Sequence, residues 1–360
     1  MPYEGEFAGY RSLRRIVETE RVQHLLKRSR VYRPEAACGR LAPRSAPVPG
    51  HPLPDFVVAI DGSNAEVPVA NGYPGAHVGY CTVASVLLNL KDLDRLDEER
   101  PVDPREFRRT EESATIDAAL PGSNVVTSPH SSSKAAFREA LFEVLHDVVV
   151  DEEDRASLLD TYEALLAQKP QTREQACPYD DEGCQRHLQV AAGITSCVCD
   201  RRRPIYSTDA LRIHERFRDV GSNGEAIGEV MQVWERVLLV HLLRCFERRE
   251  WLDRIGKLAF MLDGPLAVFG HPAWLSAAIN RELMRLNRTV QQKTGLDLCI
   301  LGIEKTGTFV AHFEDIDKTE TGEAWFPGGS YLLLTDRYIK ERVIFSNSEK
   351  RYGLDPAFSI

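Results

Sequence analysis

Two segments of the chain, VVAIDGSN at 57–64 and AFMLDGPL at 259–266, share one pattern: an apolar run that meets an Asp-Gly step. An apolar run of this kind reads as a strand buried in a sheet. A buried strand that ends in a carboxylate presents it at the end of the sheet, where a ligand can reach it. Asp61 and Asp263, offered from neighbouring strands, can share a divalent cation, because Mg2+ and Mn2+ take oxygen ligands. Such a centre activates water and stabilises a leaving oxygen in phosphodiester cleavage. A single Asp-Gly is also an ordinary turn, so the recurrence carries the argument.

Around these two segments the pattern is α/β. VGYCTVASVLL (78–88) predicts a second strand that forms a hairpin with the first. Helices are expected at 133–147, near 154–168, from about Ser207, over 225–250 and over 272–292. Strands are expected at 258–263 and 298–305, with strand-like runs at 308–313 and 330–335. The alternation of strands and helices gives a mixed sheet flanked by helices. Residues 1–32 predict an N-terminal amphipathic helix, with Leu13, Ile16, Val17, Val22, Leu25 and Leu26 on one side. Residues 33–54 carry six prolines and read as a linker. The core spans 55–360, and the charged, Pro-punctuated stretch from about 91 to 205 reads as a large irregular insertion.

A third carboxylate is expected from the helix at 225–250. At about 100° per residue, Ile227, Val230, Met231, Trp234, Leu238, Leu242 and Cys245 define an apolar face, with Glu235 at its rim. Glu229 and Arg236 fall on the polar side. A carboxylate on the rim of a buried stripe needs a partner, and a metal, Arg212 or Lys305 would serve.

Net charge is −9, from 45 Lys+Arg against 54 Asp+Glu, which does not describe a purely electrostatic nucleic-acid binder. It leaves room for a local basic groove around an acidic metal centre. The start of the chain reads as the beginning of a helix rather than a leader. The longest apolar runs fall short of the ~20 residues that a membrane span needs. A soluble cytoplasmic protein is the expectation, with no membrane partner.

Of the eight cysteines, Cys177, Cys184, Cys197 and Cys199 fall within 23 residues. Four thiolates are the set that a tetrahedral structural Zn2+ takes; four free thiols are the alternative, and His187 is a further candidate ligand. Arg201, Arg202 and Arg203 follow at once, either as phosphate contacts or as a solvated basic loop. Arg212, His214 and Glu215 lie close together in LRIHERF, where packing or a salt bridge is the simpler role. Asp336 ends YLLLTD as a reserve ligand or, preferably, as a helix N-cap.

In order along the chain, VAIDGSN, VWERVLLVHLL, FMLDGPL and LGIEKTG resemble the NurA nucleases, over roughly 55–90 and 206–345. The resemblance implies an RNase H-like fold, Mn2+- or Mg2+-supported degradation of DNA ends, and a homodimer docked on a hexameric HerA-like ATPase. It implies DNA repair or anti-phage defence as the setting. Asp61 and Asp263 match the two motif aspartates, Glu235 is the best match to the helix glutamate, and Lys305 matches the lysine after the later strand, either as a phosphate contact or as a solvated strand-end lysine. The N-terminal helix would suit docking to the ATPase or to the second protomer. Compact members of the family carry a His near the C-terminus, whereas no His follows His312 here. Two alternatives stay open: a nuclease-like adaptor that organises the ATPase on DNA, and an RNase H-like nuclease acting on RNA.

Overall fold

A computed structural model describes residues 19–29, 43–46, 53–69, 75–93, 111–128, 132–150, 153, 155–170, 174–199, 203–317, 321, 323–347 and 349. The chain divides into two compact units, Val48–Lys305 and Met1–Pro47 with Thr306–Ile360.

The larger unit is built on five strands: β1 (Phe56–Pro68), β2 (His77–Asn89), β3 (Glu111–Pro121), β4 (Leu258–Asp263) and β5 (Cys299–Ile303). Their order across the sheet is β5-β4-β1-β2-β3. β1 and β4 are parallel, as are β4 and β5, while β2 runs antiparallel to both β1 and β3. The hairpin is paired along its whole length, from Phe56 opposite Asn89 to Pro68 opposite His77. The parallel pairing of β1 with β4 covers only Phe56–Ile60. β1 therefore does not stop at Asp61, as its apolar run suggested; only its pairing with β4 stops there.

Helices α1 (Ser133–Asp147), α2 (Leu158–Leu166), α3 (Gly224–Arg248) and α4 (Trp274–Thr294) belong to the same unit. α1 begins where the Ser132 side chain accepts from the Ala135 amide, and α2 begins with a capping box between Ser157 and Asp160. α3 packs on β1 and β2 with one side and on α2 and α4 with others. Its sequence is apolar over most of its circumference, with Val233, Trp234, Val237, Leu238, Leu239 and Val240 all buried, as a helix sandwiched in a core requires.

The segment from 91 to 205, expected as a large irregular insertion, contributes regular elements to this core. β3 closes one side of the sheet, and Phe137, Leu141 and Leu145 of α1 join Leu158, Tyr162 and Leu165 of α2 in the core that holds Trp234 and Phe260. β3 escaped detection because Glu111, Glu112 and Asp117 interrupt its apolar residues. Asp117 accepts hydrogen bonds from Tyr80 and Thr82 of β2, each at 2.7 Å, which matches a polar-faced edge strand.

In the smaller unit, Glu20–Arg28 is helical, while the rest of the expected N-terminal helix lies outside the described residues. Arg44–Ser45, inside the proline-rich stretch, pairs antiparallel with Ser330–Tyr331. The strand-like run at 308–313 is instead part of a helix, Thr308–Ile316. Phe309 of this helix packs against Tyr338, Ile339 and Val343. Thr335, not Asp336, caps the next helix by accepting from the Tyr338 amide, and Asp336 pairs with Lys340 at 2.8 Å. Among the described residues, no helix is long and apolar enough to cross a membrane.

Candidate active site

The register sets the site. Ile60 lies opposite Leu262 in the last pair of the parallel ladder, so Asp61, where β1 continues paired with β2 alone, and Asp263, the last residue of β4, lie side by side where the two strands part. Both follow fully buried positions, with Ile60 and Leu262 each 1% exposed. Alternation along a strand turns the two carboxylates to the opposite face from those side chains. β5 supplies the third component two residues past Ile303, which pairs with Asp263. The Lys305 ammonium lies 3.2 Å from Asp263 Oδ1 and 3.8 Å from Asp61 Oδ2. The hydrogen bond to Asp263 and the charges of both aspartates raise the Lys305 pKa, which keeps it a cation. Gly264, at φ 76°, then turns the chain away through a left-handed conformation that favours glycine.

Behind β1 stands Glu235. A Cβ on Gly62 would lie 2.8 Å from Glu235 Oε1 and 2.7 Å from Met231 Cγ, so a glycine is what lets α3 approach this strand. Glu235 is buried and ion-pairs with the neighbouring Arg236, which is equally buried. Arg236 in turn donates to the backbone carbonyls of Asp263, at 3.2 Å, and of Pro265, at 2.7 Å. Burial pushes the Glu235 carboxyl up to about 7, against the pull of Arg236, and the negative charges of Asp61 and Asp263 push the same way. The Gly62 amide donates to it and opposes the rise. Burial also lowers the Arg236 pKa despite its partner.

The structure thus joins Asp61, Asp263 and Lys305 directly, and couples Glu235 to them through charge. Among the described residues, the three carboxylates do not form a group with all ligand atoms within 4.8 Å of one another. An all-oxygen donor set next to surplus negative charge fits Mn2+ or Mg2+. Arg236 is the site residue that sequence reasoning missed. Helical phase put it on the polar side with Glu229, yet α3 has no solvated side at that level. The Glu-Arg step inside VWERVLL was the available signal, since adjacent charges in an apolar helix must satisfy each other. Arg212, named as a partner for Glu235, instead pairs with Glu215 through two hydrogen bonds at 2.6 and 2.7 Å. Glu229 pairs with Arg216 at 2.6 Å.

The remaining candidates fall elsewhere. The expected helix from Ser207 is two short 3-10 turns, Ser207–Leu211 and Ile213–Glu215, separated by Arg212 in a left-handed conformation. Asp209 in the first turn is buried and takes a bidentate pair from Arg138, two bonds of 2.7 Å. His214 is buried 3.7 Å from Asp209, and burial lowers it to about 4. Arg201 and Arg202 lie outside the described residues. Arg203 pairs with Glu182 and lies over the Tyr179 ring, so it is engaged within the fold. His187 is in a short strand, exposed. His312 belongs to the smaller unit, where its Nε2 is 2.9 Å from the Tyr338 hydroxyl. The thiols of Cys177, Cys184 and Cys197 lie within 4.8 Å of one another and form a group that could hold a metal ion.

No curated protein and no solved structure matches the chain. The family model described as the NurA domain matches residues 56–358, a span that starts at β1 and takes in every site residue named above. The chain belongs to the NurA family, a nuclease-type family.

Proposed function

We propose that this chain is a Mn2+- or Mg2+-dependent deoxyribonuclease that degrades DNA ends. The observation that carries this reading is the placement of Lys305 between Asp61 and Asp263, a cation held by two carboxylates where adjacent strands part. The strand order, with β2 reversed among otherwise parallel neighbours, supports an RNase H-like fold. Asp61 and Asp263 would hold the metal, with Glu235 as the third carboxylate. When bound, the metal supplies a water nucleophile at neutral pH and charge stabilisation of the leaving oxygen. Lys305 is placed to contact a backbone phosphate and to neutralise charge as the phosphodiester opens. Arg236 holds the Asp263–Pro265 backbone still and compensates Glu235, so that the carboxylates keep their positions while substrate turns over.

The partner in this reading is a hexameric HerA-like ATPase that feeds duplex DNA to a homodimer of this chain, in DNA repair or in anti-phage defence. Family membership supports it. The test is digestion of linear duplex DNA, single-stranded DNA and RNA in Mn2+ and Mg2+, with and without the ATPase, by the native chain and by Asp61→Ala. Cleavage of DNA that disappears in Asp61→Ala is the expected result. Absence of cleavage with the ATPase bound would point to an adaptor, and preference for RNA would move the substrate class.

A further inference from the structure

The cysteine lobe lies outside the carboxylate centre and carries an inference of its own. It consists of two small hairpins, Gln175–Ala176 with His187–Leu188 and Ile194–Ser196 with Pro204–Tyr206. Between the strands of the first hairpin a tight turn closes through Asp180 N to Cys177 O, at 2.9 Å, and Cys184 N to Tyr179 O, at 3.0 Å. Very little apolar material holds the lobe: its own core is Cys177, Tyr179, Cys197 and Ile205, with Cys184, Leu188, Val190 and Cys199 packed around it. Half of that group is cysteine.

We propose that Cys177, Cys184, Cys197 and Cys199 bind one structural Zn2+ ion. The Sγ atoms of Cys177 and Cys197 are 3.3 Å apart and those of Cys184 and Cys197 are 3.6 Å apart. The edge of a tetrahedral zinc–thiolate site, with Zn–S near 2.3 Å, is about 3.8 Å. Cys199 is the fourth thiol: its backbone amide donates to Cys197 Sγ at 3.3 Å and its side chain hydrogen-bonds Cys197, while its sulfur lies outside the group of three that are all within 4.8 Å of one another. Burial raises the thiols of Cys177 and Cys197 in the metal-free lobe, and the amides of Tyr179 and Cys199, each two positions on, donate to these sulfurs and oppose the rise. Binding releases the four thiol protons and leaves a site with two negative charges. In sequence, Asp200 and then Arg201, Arg202 and Arg203 follow Cys199. The ion would fix the strand at Pro204–Tyr206, whose Pro204 carbonyl accepts from Arg138 at 3.1 Å and whose Tyr206 amide donates to Asp209 at 2.9 Å.

The test is elemental analysis of the full chain purified in reductant without chelator, followed by replacement with Co2+. One zinc per chain and the visible absorption of tetrahedral cobalt thiolate are expected. Cys199→Ser should release zinc to a chromophoric chelator at least tenfold faster, whereas Cys299→Ser, at an exposed position away from the lobe, should not. A metal-free chain with all four thiols open to alkylation would overturn the proposal. So would stoichiometric iron, or a peptide map showing these cysteines as disulfides.

Discussion

Arg236 donates from Nη2 to the backbone carbonyl of Pro265 at 2.7 Å, two residues past Asp263. One buried guanidinium therefore serves two purposes. It compensates Glu235 on its own helix and fixes the backbone at Asp263 on another element.

Arg236→Met should cost about 3–5 kcal/mol of stability, because it leaves the Glu235 charge buried without its partner. Arg236→Lys should recover only part of this, since a single ammonium cannot reach the carboxylate and both carbonyls together. Urea unfolding of both variants measures the difference. Equal stability of Arg236→Met and the native chain would show that Glu235 is protonated or otherwise compensated.

Gly62→Ala tests the close approach of α3. The new methyl would meet Met231 Cγ and Glu235 Oε1 below 3 Å, which should cost about 1–3 kcal/mol and displace the Glu235 carboxyl. Adding Met231→Ala should restore part of the stability, because one of the two clashes is removed. Thermal unfolding of the single and double variants reads the recovery, and no recovery would place the cost in the carboxylate.

Lys305 and a metal ion compete for the same two carboxylates. Lys305→Ala should therefore tighten Mn2+ binding, by about two- to tenfold, as a competing positive charge is removed. Cleavage should nevertheless fall, by about ten- to a hundredfold, if the ammonium stabilises the reacting phosphate. Calorimetry for the metal and single-turnover cleavage at saturating Mn2+ separate the two effects. Weaker Mn2+ binding in the variant would remove the competition.

Glu235 sets a pH dependence. Its carboxyl is raised from 4.5 to about 7, so in the metal-free chain its protonation favours the folded state. That contribution is complete below 4.5 and is lost as pH rises through about 7. Metal binding requires the ionised form, so Mn2+ affinity should climb up to about 7 and then level. Asp61 helps to raise Glu235, which means that Glu235 in Asp61→Asn should titrate at lower pH, as carboxyl NMR of the metal-free chain can follow. A flat Mn2+ affinity across this range would exclude Glu235 from the ligands.

The parts of the fold that read clearly in the sequence are those where apolar runs are uninterrupted. β2, β4, β5 and α4 lie close to their expected positions, β1 starts where expected but runs on to Pro68, and α3 lies within two residues of its expected bounds. Asp61 and Asp263 could be singled out because each follows such a run, whereas Lys305 enters through the family resemblance. What stayed hidden depends on tertiary pairing. β3 is an edge strand whose polar residues answer to Tyr80 and Thr82 across the sheet, a relation with no local signature. The alternation in TFVAHF resembles a strand, yet Phe309 packs against the cluster of Tyr338, Ile339 and Val343 and His312, about one helical turn on, meets Tyr338. Arg236 looked solvated because helical phase assumes one wet side, and α3 is covered on several.

The parallel pairing of β1 with β4 joins residues that are 263 − 61 = 202 positions apart at the site. Such a pairing closes a long loop, which makes it a slow, late step in folding. On the ribosome, Asp61 has no Asp263 beside it until 202 further residues have been made. A fragment from interrupted synthesis that stops before Asp263 therefore lacks the carboxylate pair, and whatever chemistry the pair performs is withheld until both strands exist.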